Sequence, residues 1–212
     1  MKNIFIAVPC MDQVPAQFCH SLSMLEKIDD TATAVSFNVG SLVYSSRNEL
    51  ARRALEMGAD YVFWLDSDMV FDSDILKRCW ALKDQADIIS GLYFRRVEPY
   101  TPVLYDQLEF DENGACAWKE TETLPDEPFE VAACGFGCVL MPTDIFIDVQ
   151  AHYKTMFNPI NGTGEDLAFC WRARQLGYKI LVDPKLELGH VGQQVFCRAY
   201  FEAYKAQKND KK

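Results

Sequence analysis

The sequence predicts an α/β fold in which a mostly parallel central sheet is flanked by helices and extended by one β-hairpin. Three observations point there. Strand-like and helix-like segments alternate as βαβαβαβ up to residue 92, the order of a parallel sheet whose crossovers are helices. The leading strand candidates are continuous apolar runs, the pattern of strands buried on both faces. The rhythm then breaks over residues 102–133, where a hairpin is expected.

Residues 4–8 (IFIAV) read as the first strand and 15–28 as the first helix. Residues 35–39 alternate as a second strand. The stretch Ser45-Ser46-Arg47-Asn48-Glu49 opens a helix that carries Leu50, Ala51, Ala54 and Leu55 on one face and stops at Gly58. Residues 60–66 (DYVFWLD) are the strongest strand, and Asp72-Ser73-Asp74 supplies cap residues for a helix to residue 82. Residues 87–92 are the next strand. Asp111-Glu112-Asn113-Gly114 is a turn between short strands at 103–105 and 116–118. A glycine-rich strand at 133–141 and a short helix at 142–150 follow. Gly164 to Gly177 spans a further helix whose first turn holds Glu165 and Asp166, where the helix dipole favours acids. A closing strand occupies 180–182. With no repeat or low-complexity linker, a single domain is expected over 1–197, followed by a helical, basic tail at 198–212.

The chain has 212 residues, 49% of them hydrophobic, which suffices for a real core and argues against intrinsic disorder. No apolar run approaches the roughly 20 residues needed to cross a bilayer, and the apolar start is too short for a secretory signal. Eight cysteines show no zinc-type or C-x-x-C spacing; they are expected reduced and mainly buried, in a soluble cytoplasmic protein. The net charge of −10 disfavours a nucleic-acid partner, since phosphate contact needs clustered Lys and Arg. Most of that charge lies in residues 106–130, where nine carboxylates face Lys119 alone. This segment reads as a solvated surface.

Two groups of residues carry chemical interest. Asp66-Ser67-Asp68 ends the strongest strand, so two carboxylates leave the strand on one side; as hard oxygen ligands they suit Mg²⁺ or Mn²⁺. Taken alone they also read as helix caps. Glu165 and Asp166 open a helix, and Asp183-Pro184 and His190 follow about one strand later. Each block alone has a bland reading, as dipole partners of a helix or as a solvated loop.

In combination, the strand ending in Asp66-Ser67-Asp68, the glycine-rich strand through Gly135 and Gly137, the Glu165-Asp166 helix, and Asp183-Pro184 with His190 resemble the GT-A nucleotide-sugar glycosyltransferases, especially those similar to family 2. Ser46-Arg47-Asn48-Glu49-Leu50-Ala51 is similar to that family's Arg-Asn helix. The resemblance covers roughly residues 3–192. It implies a Rossmann-like GT-A sheet and a metal-dependent transfer of sugar from a nucleoside diphosphate, UDP-linked, to a hydroxyl acceptor with inversion.

The resemblance assigns Asp68, Asp66 and His190 to the metal, and imidazole among the ligands favours Mn²⁺ over Mg²⁺. Asp166 is implied as the general base, with Glu165 binding or orienting the acceptor. Pro9, Asp12, Arg47, Asn48, Asp66, Gly135 and Gly137 are implied around the nucleotide sugar, Arg47 at its phosphates and the two glycines where backbone approaches the sugar. Asp12 and Asn38 are the candidates for contacting the uracil ring. Tyr93-Phe94-Arg95-Arg96 reads either as an anion grip or as a strand edge with solvated arginines. Two alternatives stay open: a sugar nucleotidyltransferase, whose Gly-x-Gly-x-Arg loop is replaced here by Pro9-Cys10-Met11-Asp12-Gln13, and a non-catalytic carbohydrate- or nucleotide-binding module.

Overall fold

The computed structural model describes residues 1–192 and 195–209, so the end of the expected tail, 210–212, lies outside the described residues. The first half of the chain runs β1 (Lys2–Cys10), α1 (Ala16–Ser23), β2 (Thr31–Val39), α2 (Val43–Glu56), β3 (Tyr61–Leu65), β4 (Met69–Val70), α3 (Ile75–Ala81) and β5 (Ile88–Leu92). Next come β6 (Leu104–Phe110), β7 (Cys116–Glu120), β8 (Phe129–Val131), β9 (Ala133–Cys134), β10 (Cys138–Pro142) and α4 (Asp144–Tyr153). The chain closes with α5 (Glu165–Gln175), β11 (Ile180–Glu187), β12 (Gly189–Val191), β13 (Val195–Phe196) and α6 (Arg198–Asn209).

The central sheet has seven strands in the order β2-β1-β3-β10-β5-β11-β8. β1 pairs in parallel with β2 and β3, and β5 with β11, while β10 runs antiparallel between β3 and β5. This is a mixed α/β, GT-A-like architecture. The unbroken apolar runs have a direct cause: successive side chains point to opposite faces, and both faces are covered. On β1, Phe5 and Ala7 join Leu50, Ala51 and Ala54 of α2 and Phe146, Phe157 and Phe169 in one core cluster. Ile4, Ile6 and Val8 join Phe18 of α1 and Ile75, Leu76 and Cys79 of α3 in the other.

The predicted hairpin is present as β6 and β7, which form a separate sheet with β9. Four of its region's acids are paired with cations: Glu109 with Arg174, Glu120 with Arg95, Glu127 with Lys185 and Glu130 with Lys179. The acidic segment is thus a solvated surface, as expected, with some of its charge screened by ion pairs to the central domain.

Several boundaries differ from expectation. α1 stops at Ser23, whose hydroxyl donates back to the His20 carbonyl, and residues 24–28 are drawn toward α3 by Glu26 N–H donating to the Ser73 carbonyl. Asp74 precedes α3 but makes no side-chain cap bond; it faces Arg78 instead. The glycine-rich segment is two strands, because Gly135 to Gly137 leaves the hairpin sheet and turns into the central one. The closing strand continues to Glu187 through a register shift that contains Pro184, which has no N–H to donate to a ladder.

Gly91 marks a tight point of the sheet. A Cβ there would lie 2.6 Å from Leu188 Cδ1, 3.0 Å from the Leu186 carbonyl oxygen and 3.2 Å from Cys138 Sγ. Gly91→Ala should lower stability by about 1–3 kcal/mol in denaturant unfolding; an unchanged midpoint would show that β11 yields without cost.

Candidate active site

The candidate site lies at the carboxyl ends of β1 and β3, where open α/β sheets bind ligands. A cleft of about 240 Å³ is lined there by Pro9, Ser46, Arg47, Asp66, Asp68, Glu165 and Asp166 among others. Arg47 organises it. Positions 47, 50, 51 and 54 share one face of α2, so Arg47 is carried under the sheet edge together with Leu50, Ala51 and Ala54 and is almost fully buried.

The guanidinium joins two elements. Its Nη2 donates to Asp66 Oδ1 at 2.8 Å, at the end of β3, and its Nε donates to Glu165 Oε1 at 3.0 Å, in the first turn of α5. Aromatic faces support it: the guanidinium carbon lies 5.5 Å from the Trp64 ring and 5.3 Å from that of Phe136. Burial opposes the Arg47 charge, but Asp66, Glu165 and Asp166 outweigh that penalty and raise its pKa. Arg47 Nη1 and the Ser46 hydroxyl are buried and have no hydrogen-bond partner among the described residues. Orphan donors on a cleft wall are open to a bound polar ligand.

Asp66 and Asp68 diverge rather than act as a pair. Asp66 turns to Arg47; burial raises its pKa, and Arg47 offsets that rise only in part. Asp68 turns to the other side. Its Oδ2 accepts from Arg96 Nη1 at 2.9 Å and lies 3.4 Å from His190 Nε2. Burial works against the Asp68 charge, yet His190 and Arg96 hold its pKa below the usual value. His190 comes to this place because β12 pairs antiparallel with β4, Gly189 opposite Val70 and His190 opposite Met69, and Val191 N–H donates to the Asp68 carbonyl. Its Nδ1 faces the Phe94 carbonyl oxygen at 2.9 Å, which selects the tautomer with Nε2 toward Asp68.

Asp166 is the outlying acid. Its Oδ1 accepts the Leu167 N–H at 2.8 Å. Burial, reinforced by Glu165 and opposed by Arg47, pushes its carboxyl up to about 7. That range suits a proton acceptor working near neutrality.

The structure thus gathers Pro9, Arg47, Asp66, Asp68, Glu165 and Asp166 on one cleft, with His190 touching Asp68. Four of the other implied residues lie elsewhere. Asp12 is exposed and is not in the cleft lining. Asn48 donates to Asn158 Oδ1 and accepts the Phe157 N–H, so it ties α2 to the loop after α4. Gly135 and Gly137 make room for Tyr93: a Cβ on Gly135 would come 1.9 Å from the Tyr93 hydroxyl, and one on Gly137 2.8 Å from its ring. Asn38 accepts from Arg53 Nη2. Trp171 packs on Phe110 and Tyr153. Arg96 is the residue whose role the sequence reading left undecided. The signal was its place just past the end of a sheet strand.

Among the described residues no three His, Cys, Asp or Glu side chains converge as a ready-made metal cage. Asp68 and His190 nevertheless make a coherent donor pair: one carboxylate oxygen and one imidazole nitrogen face each other, with the imidazole oriented through its second nitrogen. They fit a Mn²⁺-type ion that takes its remaining ligands from phosphate and water.

No family model matches this sequence, and no curated protein sequence matches it. Among solved structures, the fold is similar to that of the protein A197 from STIV, with a TM-score of 0.62 and 19% identity over 91% of this chain and 86% of that one. It is also similar to GalNAc-T7 with UDP, GalNAc and Mn²⁺, with a TM-score of 0.61 and 12% identity over 91% of this chain. The alignment spans 44% of the GalNAc-T7 chain. At these identities the likeness establishes a common fold. No helix among the described residues is long and apolar enough to cross a membrane.

The Asp166 carboxyl gives a pH signature. Its folded pKa of about 7 exceeds the unattached value of 3.8, so the folded state holds the extra proton between those limits. Its contribution to stability is therefore greatest below about pH 4 and is lost as pH rises to about 7. In metal-free protein, Asp166→Asn should gain on the wild type by about 3–4 kcal/mol across that interval. Thermal unfolding of both from pH 4 to 8 reads this directly, and a pH-independent difference would contradict it.

Proposed function

We propose that this protein is a metal-dependent glycosyltransferase that moves a sugar from a nucleoside diphosphate, UDP-linked, to a hydroxyl acceptor. The observation that carries the reading is the cleft itself. Four carboxylates, Asp66, Asp68, Glu165 and Asp166, meet there with Arg47 and Arg96 as the opposing cations. Such a site repels an unaccompanied diphosphate and accepts one that arrives with a divalent ion. The similar fold of GalNAc-T7, solved with UDP, GalNAc and Mn²⁺, supports this direction.

In this reading Asp68 and His190 hold the metal, which when bound neutralises the negative charge that develops on the departing diphosphate. Asp66 is kept in place by Arg47 and faces the ribose or a metal-bound water. The unpartnered Ser46 hydroxyl and Arg47 Nη1, with Pro9 beside them, offer polar contacts to the nucleotide. Asp166 removes the acceptor hydroxyl proton as the acceptor oxygen bonds to the anomeric carbon and the carbon–oxygen bond to the diphosphate breaks. Glu165 aligns the acceptor. Direct displacement of this kind inverts the anomeric centre. Asn48, Gly135 and Gly137 act from outside the cleft, Asn48 by tying α2 to the loop after α4 and the glycines by seating Tyr93. Residues 1–197 constitute the catalytic unit, onto which α6 packs through Phe201. The eight cysteines, all free, suit a reducing compartment such as the cytoplasm.

UDP with Mn²⁺ should raise the unfolding temperature of the wild type, by the equivalent of about 2.7 kcal/mol when ligand stands at 100 times its Kd. Asp68→Ala should abolish that rise. Asp166→Asn should keep it and reduce transfer at least about 100-fold. Absence of stabilisation by any UDP-, GDP- or dTDP-sugar with Mn²⁺ would overturn the reading, and transfer surviving in Asp166→Asn would remove Asp166 from the base role.

A further inference from the structure

We propose that Arg96 is a built-in stand-in cation: it occupies Asp68 while the metal is absent, and the metal releases it to bind the diphosphate of the donor. The inference rests on the metal and donor reading above and adds to it a residue that acts in two places.

The starting observation is the crowding on one oxygen. Asp68 Oδ2 accepts Arg96 Nη1 at 2.9 Å and faces His190 Nε2 at 3.4 Å. The Phe94 carbonyl at Nδ1 leaves Nε2 as the nitrogen presented to the carboxylate. Of the two nitrogen neighbours of that oxygen, Arg96 is the one with a permanent charge. A divalent ion placed between Asp68 Oδ2 and His190 Nε2 would stand beside the guanidinium on the same oxygen, and their repulsion favours displacement of the exposed side chain. Metal and guanidinium therefore compete for Asp68.

The way Arg96 is held fits such an exchange. Its side chain is 45% exposed, and among the described residues only Nη1 is engaged, to Asp68 Oδ2 and to the Val191 carbonyl at 3.0 Å. Among the described residues Nε and Nη2 meet no acceptor, a fork that matches phosphate oxygens. The adjacent Arg95 is held differently, by the Tyr105 hydroxyl at 2.8 Å and Glu120 at 2.7 Å. The backbone around Arg96 is fixed: Arg95 N–H donates to the Thr101 carbonyl, Tyr100 N–H to the Val97 carbonyl, and Phe94 bridges to Pro102. Only the side chain needs to move, and its anchor keeps it beside the metal position. Its stem passes over Gly192, where a Cβ would lie 3.2 Å from Arg96 Cδ.

The proposal separates two affinities that a purely structural arginine would move together. Mn²⁺ alone should bind Arg96→Ala about tenfold more tightly than wild type, in titration of the full chain followed by the electron paramagnetic resonance of free Mn²⁺. UDP in saturating Mn²⁺ should bind Arg96→Ala about tenfold more weakly, by calorimetry. Arg96→Lys, which keeps the charge, should resemble wild type toward Mn²⁺. Unchanged or weaker Mn²⁺ binding to Arg96→Ala overturns the proposal, as does UDP affinity equal to wild type. Asp68→Ala separates the two levels: Mn²⁺ binding to the wild type that is indifferent to Asp68, or absent altogether, overturns the metal reading and this proposal with it, whereas Asp68-dependent binding that ignores Arg96 overturns this proposal alone.

Discussion

The structure depends on one buried guanidinium. Arg47 bridges Asp66 at the end of the central strand and Glu165 at the start of a helix some hundred residues later in the chain, at 2.8 and 3.0 Å. An arginine and carboxylates removed from water are costly when unpaired, so each member holds the others in place. The aromatic floor of Trp64 and Phe136 fixes the plane in which the guanidinium can lie. Below it, Phe157 and Phe169 stack at 4.5 Å and pack against Trp64, Phe136 and Phe146. The polar centre is thus mounted on the largest apolar cluster of the fold.

This arrangement divides the acids by function. Asp66 and Glu165 share the single charge of Arg47, and Asp68 is paired with Arg96, whereas among the described residues Asp166 is paired with no cation and rises to about 7. The acidity of the chain as a whole has a different origin. Its densest segment, 106–130, lies on the hairpin side and is partly matched by Arg95, Arg174, Lys179 and Lys185. The charge that matters for chemistry is the smaller set around the cleft.

Much of the fold was legible because burial on both faces writes continuous apolar runs into the strands. β1, β3 and β5 are of this kind, and so is the parallel order they imply. Two acids after a buried strand and two acids in a first helical turn stand out from local pattern, whereas Arg47 enters the reading only through the resemblance of the stretch from Ser46 to Ala51. What escaped depends on pairing between distant segments. The sequence around Gly135 and Gly137 reads as one strand, but the glycines exist to admit Tyr93, and the chain changes sheets there. The partnership of Arg96, Asp68 and His190 requires β12 to pair with β4, two very short strands without a pattern of their own. The extension of β11 to Glu187 through Pro184 escaped for the same reason.

A double-mutant cycle on Arg47 and Glu165 tests the central interaction most directly. Denaturant unfolding of wild type, Arg47→Met, Glu165→Gln and the double variant yields their coupling free of other contributions. The account predicts a coupling of at least about 2 kcal/mol, with the double variant more stable than the sum of the single losses implies. A coupling near zero would contradict it, because the two elements would then be held together without the ion pair.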